Sequence, residues 1–136
     1  ALIGLGALPP AEAAYPTLNK DIDSAPLSGR HAYRIHFEKG KTPPVDAFWS
    51  LTIYDEKGFL VDNPIQRYTI GDRDELQYND DGSLDILIQH GRPQAGESNW
   101  LPAPSGGFNI TMRLYMPKKE FLSKAWQLPP VNRIKE

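Results

Sequence analysis

The chain has 136 residues, 40% hydrophobic, 24% charged and 10% aromatic, with a formal net charge of -2 and no cysteine. That size fits one domain able to bury a core without staples. Disulfides, thiolate metal sites and a cysteine nucleophile are excluded by the missing cysteine, and a near-neutral balance without a Lys/Arg stripe leaves no electrostatic footprint for nucleic acid. No run reaches the roughly 18 apolar residues of a membrane span. Thirteen Pro and eleven Gly, without a repeat period, point to many turns.

The opening ALIGLGAL is apolar but lacks a basic flank, and Pro9-Pro10 interrupt it, so it does not read as a signal peptide. Residues 1–10 read as the end of a helix arriving from a longer chain, an expectation strengthened by the absence of an initiating Met. An extended stretch follows at Ala14 to Leu18, and turns at Asp21 to Ser24 and Leu27 to Gly29. From His31 to Phe37, Tyr33, Ile35 and Phe37 share one face while Arg34 and His36 share the other, the period of a half-buried strand. Phe48 to Tyr54 repeats the pattern, with Trp49, Leu51 and Ile53 on one side and Phe48, Ser50, Thr52 and Tyr54 on the other. Asp55 to Gly58 then predicts a tight turn and Phe59 to Val61 a return strand.

Ile65 to Ile70 is short and ambiguous, and Leu76 to Tyr78 reads as a brief strand. After the turn Asn79 to Gly82, Leu84, Ile86 and Ile88 alternate with Asp85, Leu87 and Gln89. His90 to Gly107 is a loop rich in Pro, Gly and Ser. Phe108, Ile110, Met112, Leu114 and Met116 then form the longest alternation, predicted to be a central strand. Phe121, Leu122, Ala125 and Trp126 fall at helical spacing, and Val131 to Ile134 suits an edge strand. Roughly six to eight short strands with one late helix and no βαβ rhythm describe an all-β, antiparallel sandwich or barrel, whose core needs no cofactor.

Three long stretches, AFWSLTIYDEKGFLVDNPIQRYTIGDR, YNDDGSLDILIQH and ESNWLPAPSGGFNITMRLYMPKKE, in that order, resemble the bacterial DUF1214 family. With the opening segment and PLSGRHAYRIHF, the resemblance covers nearly the whole chain. It implies a jelly-roll-like β-sandwich over residues 1–136, and an upstream DUF1254-like domain as partner. By analogy with such bacterial proteins, the envelope or periplasm is the expected location. The family name denotes unknown function, so no catalytic residue or cofactor is implied.

Candidate chemistry is sparse. His31 and His36 lie on opposite faces of their strand, and His36 beside Arg34 reads as a solvated face. His90 is the one candidate general base, though a strand-end His bonded to backbone is the simpler reading. Ser98 and Ser105 flank Trp100 without a nucleophile elbow. The acids Asp72, Asp74, Glu75, Asp80, Asp81 and Asp85 do not make an EF-hand: Gln77 and Ile88 would fill its first and last ligand positions. No metal site is predicted; a looser cation site built from loop carboxylates and carbonyls is the alternative to the turn reading. Arg67 and Arg73 read as members of an ion-pair network with the acids and Tyr68.

Trp49 and Trp126 are expected in the core. Trp100, in its loop with Asn99 and Glu97, is the ligand-binding candidate, able to stack on a sugar or an apolar partner; its structural alternative is a plug at the end of the sandwich. The expected function is a non-catalytic binding or assembly module that takes a small molecule or carbohydrate, packs on an upstream domain or self-associates. The alternative is a hydrolytic or metal-assisted enzyme, or half of one, using His90 and loop carboxylates.

Overall fold

The computed structural model describes residues 13–63, 65–94, 96–118 and 129–134. The expected helix end in residues 1–10 and the late helix around Phe121 to Trp126 lie outside the described residues. The strands are β1 (Ala13–Ala14), β2 (Thr17–Leu18), β3 (Ala32–Phe37), β4 (Val45–Asp55), β5 (Thr69–Gly71), β6 (Leu84–Gln89), β7 (Trp100–Pro102), β8 (Phe108–Pro117) and β9 (Val131–Ile134). A 3-10 turn at Glu97–Asn99 leads into β7. Among the described residues no helix is long and apolar enough to cross a membrane.

Two sheets face each other. The first runs β1-β8-β4-β5, with β2 also on β8, and the second runs β7-β6-β3-β9. The alternation read from the sequence sets their registers. Trp49, Leu51 and Ile53 of β4 stand opposite Leu114, Met112 and Ile110 of β8, and all six are buried. Tyr33, Ile35 and Phe37 of β3 stand opposite Ile88, Ile86 and Leu84 of β6, likewise buried. The two inner faces meet through rings, Phe37 on Trp49 at 5.5 Å and Tyr33 on Phe108 at 6.0 Å between centroids. This is the expected all-β sandwich, with β8 central as predicted.

Four details differ from the sequence reading. First, Phe59 to Val61 is not a return strand. The turn forms, with Asp55 Oδ1 accepting the Lys57 and Phe59 amides at 2.9 and 3.0 Å. Pairing then stops at a single Tyr54–Leu60 bridge, because β4 already has β8 on one side and β5 on the other. Second, Leu76 to Tyr78 is not a strand. The Gln77 peptide pairs instead with the Asn99 side chain, its N–H donating to Oδ1 and its carbonyl accepting from Nδ2, both at 2.8 Å.

Third, β7 lies within the expected loop and pairs parallel to β6, so the second sheet is mixed rather than antiparallel. All three β7 residues are buried, which erases the period-two signal. Fourth, Met116 leaves the inward face. Register shifts between Val45 and Phe48, and Met116 takes φ 57° and becomes 48% exposed. One extra residue on β4 bends the ladder there.

One lateral edge is closed by a side chain that satisfies backbone, the other by backbone and an ion pair. Arg67, just before β5, donates from Nη1 to the carbonyls of Glu97, Ser98 and Trp100 at 3.3, 3.0 and 3.0 Å, joining the β5 edge to the β7 edge. It is therefore a carbonyl staple and not the ion-pair partner expected. Asn63 holds it in place, bonding the Arg67 N–H and carbonyl at 2.9 and 2.8 Å. At the other edge Ile22 N–H donates to the Val131 carbonyl at 3.0 Å, and the buried Asp21 carboxylate lies 3.5 Å from Arg133. Replacing Arg67 by Ala removes the side-chain donor from three carbonyls, of which Glu97 keeps the Trp100 amide, and is expected to cost about 1–3 kcal/mol in urea unfolding. Lys at this position recovers little, since its ammonium lacks the planar fork. Wild-type stability in Arg67→Ala would show that the staple contributes nothing.

Candidate functional site

The structure separates the residues singled out around Trp100. Glu97 is exposed and lies 3.3 Å from Arg92. Asn99 is buried and fully engaged, donating to the Asp85 carbonyl at 2.9 Å in addition to its pair with Gln77. Trp100 is completely enclosed, and its indole N–H donates to the Gln89 carbonyl at 2.8 Å. The ring presents no face to solvent, and the three residues share no open surface.

His90 is exposed, and its Nδ1 donates to the Ala103 carbonyl at 3.0 Å. That bond fixes the tautomer, and no carboxylate among the described residues stands at hydrogen-bond distance to orient the ring as a base. Three of the acids accept hydrogen bonds from neighbouring amides or a hydroxyl. Asp72 accepts the Trp49 amide at 3.3 Å, Asp74 the Gly71 amide at 2.8 Å, and Asp81 the Ser83 hydroxyl and amide at 2.6 and 2.9 Å. Among the described residues no group of three His, Asp or Glu side chains is arranged to hold a metal.

Two constellations were not legible as such in the sequence. The first lies on the outer face of the second sheet. His36 stands directly opposite Asp85, with Nδ1 and Oδ1 2.6 Å apart. Nε2 is 3.5 Å from Glu38, Arg34 is 3.8 Å from Asp85, and Asn79 donates to the second Asp85 oxygen at 3.0 Å. The hydrogen bond to Asp85 outweighs burial and, with the charges of Asp85 and Glu38, raises the His36 pKa. Burial alone would raise the Asp85 carboxyl, but the bonds from Asn79 and His36 prevail and hold it below the usual range. With Nδ1 on Asp85 and Nε2 turned toward Glu38 the ring faces carboxylates on both sides, and the Ser83 hydroxyl donates to Asp81 rather than facing Nε2. The arrangement is an ion-pair network. Only the pairing of β3 with β6 brings its halves together.

The second is a concavity of about 300 Å³ on the outer face of the first sheet, lined by Phe48, Ser50, Thr69, Gly71, Arg73, Asp74, Arg113 and Tyr115 with the backbone at Trp49. Its shape follows from the register. Ser50 faces Arg113 on β8 and Gly71 on β5, so the floor is small. A Cβ on Gly71 would lie 2.2 Å from the Trp49 carbonyl oxygen, so the close strand approach requires glycine. One wall is an aromatic ladder: Phe48 stacks on Tyr115 at 4.4 Å, and Tyr15 meets Tyr115 edge-on at 6.2 Å. Burial, and then the neighbouring Tyr115 hydroxyl, push the Tyr15 pKa up. The Arg73 guanidinium sits 4.3 Å from the Phe48 ring centre, and Arg113 donates to the Tyr54 hydroxyl at 2.7 Å. Arg73 is thus a cation–π partner of Phe48 rather than a member of the expected ion-pair network.

The His36 pair has a signed pH signature. A raised histidine pKa contributes stability that is complete below the ordinary value of about 6.5 and is lost as pH rises through the folded value. The lowered Asp85 pKa contributes above the ordinary carboxylate value of about 3.9 and is lost as pH falls through the folded one. His36→Gln is therefore expected to be less stable than wild type near about pH 5.5, by no more than about 1 kcal/mol for so exposed a pair, with the gap shrinking by about pH 8.5. Urea unfolding at the two pH values checks this, and an equal gap at both would mean that protonation of His36 is not used.

Residues 12–119 match the family model described as protein of unknown function (DUF1214). Comparison with curated proteins found no match. The crystal structure of the VPA0106 protein from Vibrio parahaemolyticus is similar at 30% identity with a TM-score of 0.85, over 97% of this chain and 33% of that one. An uncharacterized protein from Burkholderia cenocepacia shares the fold at 20% identity and a TM-score of 0.59, over 95% of this chain and 31% of that one. The chain spans about a third of the length of these solved structures. The match over residues 12–119, on the sandwich just described, places the chain in the DUF1214 family.

Proposed function

We propose that this domain is a non-catalytic binding module that works through the outer face of the β4–β5–β8 sheet. The observation that carries the reading is the contrast between the domain's reactive groups and its concavity. The His36 ring nitrogens face Asp85 and Glu38, the Ser83 hydroxyl is engaged by Asp81, and His90, whose Nδ1 is held by the Ala103 carbonyl, has no carboxylate or hydroxyl at hydrogen-bond distance among the described residues. The concavity is lined instead by rings, guanidiniums and small hydroxyl residues, the groups that recognise and orient a ligand. Its volume of about 300 Å³ suits a ligand of monosaccharide size.

Blocking the floor tests the reading without touching charge. Ser50 points outward from a strand, so Ser50→Phe fills the concavity while leaving the core intact. A thermal-shift screen of sugars, organic acids and anions is expected to give at least one compound that raises the Tm of wild type but not of Ser50→Phe, since native-state ligands stabilise by mass action. The same chain is expected to leave chromogenic ester, phosphate and glycoside substrates unturned. Turnover that disappears in a folded His90→Gln variant would overturn the proposal in favour of a hydrolytic site.

A further inference from the structure

We infer that the concavity on the first sheet is an oxyanion site, in which Arg113 and Arg73 hold a carboxylate or phosphate group carried by a small polar molecule. The inference rests on the binding-module reading above and specifies what the module binds. Among the described residues the ion-paired arginines are Arg34, Arg92 and Arg133, all elsewhere on the surface. No described carboxylate lies within 4.0 Å of the guanidinium of Arg73 or Arg113, although both line one small concavity.

Both guanidiniums are also held in place by neutral partners. Arg113 uses Nη2 on the Tyr54 hydroxyl, a contact that fixes the plane of the fork without neutralising it and leaves its other N–H donors. Arg73 is held against the Phe48 ring. Ordering long cationic side chains normally costs rotamer entropy on binding, and here much of that ordering precedes the ligand. A planar fork matches the two oxygens of a carboxylate or phosphate in a bidentate contact.

The rest of the lining agrees. Phe48 has Arg73 over its ring and Tyr115 stacked against it, so both its faces are covered and its edge is left to an occupant. Ring edges carry the positive side of the quadrupole and tolerate an anion. The Ser50 hydroxyl is on the floor and has no hydrogen bond to a described residue, which makes it a further donor. Asp74 is the one carboxylate in the lining, and one of its oxygens is engaged by the Gly71 amide at 2.8 Å. Two guanidiniums against that single carboxylate leave the concavity net positive.

The test is a titration of the 15N-labelled chain, at fixed ionic strength, with sodium glucuronate and with inorganic phosphate, using glucose as the neutral control. Saturable shifts at the Ser50, Gly71 and Arg113 amides with glucuronate or phosphate, and none with glucose, are expected. Whichever anion saturates first says whether an acidic sugar or a phosphate group is the better fit. Arg113→Gln is expected to weaken binding by about tenfold or more, and Arg73→Gln to weaken it measurably while leaving the Arg113–Tyr54 contact in place. The spectrum itself reports whether each variant is folded. Equal binding of glucose and glucuronate would overturn the anion site while sparing the binding module, as would a neutral ligand that Ser50→Phe blocks. Absence of localised shifts with both anions, or unchanged affinity in both arginine variants, would also overturn it.

Discussion

The meeting of the inner faces of β3 and β4 fixes everything else in this domain. Trp49, Leu51 and Ile53 cannot be buried against Tyr33, Ile35 and Phe37 in more than one strand phase, because a slip of one residue turns every side chain to the opposite face. With the phase set, the cross-strand partners follow without further choice. His36 must meet Asp85, Phe48 must meet Tyr115, and Ser50 must sit between Arg113 and Gly71. Both outer-face constellations are consequences of an apolar packing problem solved on the other side of the sheets.

The sandwich leaves its edges to side chains. A sheet edge carries unpaired peptide groups that invite another chain. Arg67 covers the carbonyls of Glu97, Ser98 and Trp100, and Asn99 stands in for a strand beside Gln77. These contacts let the stretches around Gln77 and Glu97–Asn99 do without a ladder: backbone groups there are paired with an amide side chain and a guanidinium.

How much of this was legible in the sequence depends on whether a signal was local. Strands β3, β4, β6 and β8 show period-two alternation, and each was read within a few residues. Strand β7 is buried on both sides and shows no period, so it read as loop. The return strand after Gly58 had a sound local signal, but its place beside β4 is taken by β5, which only the tertiary structure reveals. Trp100 stood out as an aromatic residue in a Pro- and Gly-rich loop, yet its N–H has a carbonyl waiting on β6. The concavity was invisible for a related reason. Phe48, Gly71, Arg73, Arg113 and Tyr115 come from three strands and a loop, with no spacing that marks them as a set.

The two outer faces differ in a way that bears on function. On the second sheet every charge is answered: Arg34 and His36 meet Asp85 and Glu38, and the network saturates itself. On the first sheet the cations are positioned by neutral groups and remain unanswered by described carboxylates. Shape differs too. Gly71 is dictated by backbone contact with Trp49, but nothing in the backbone dictates serine at position 50. A larger apolar residue there would fill the depression and cover more of Phe48, gaining roughly 25 cal/mol for each Å² of apolar surface removed from water. Packing alone would favour a filled face. An open one, with a hydroxyl on its floor and two oriented guanidiniums on its walls, forgoes that stabilisation, as the proposed binding role requires.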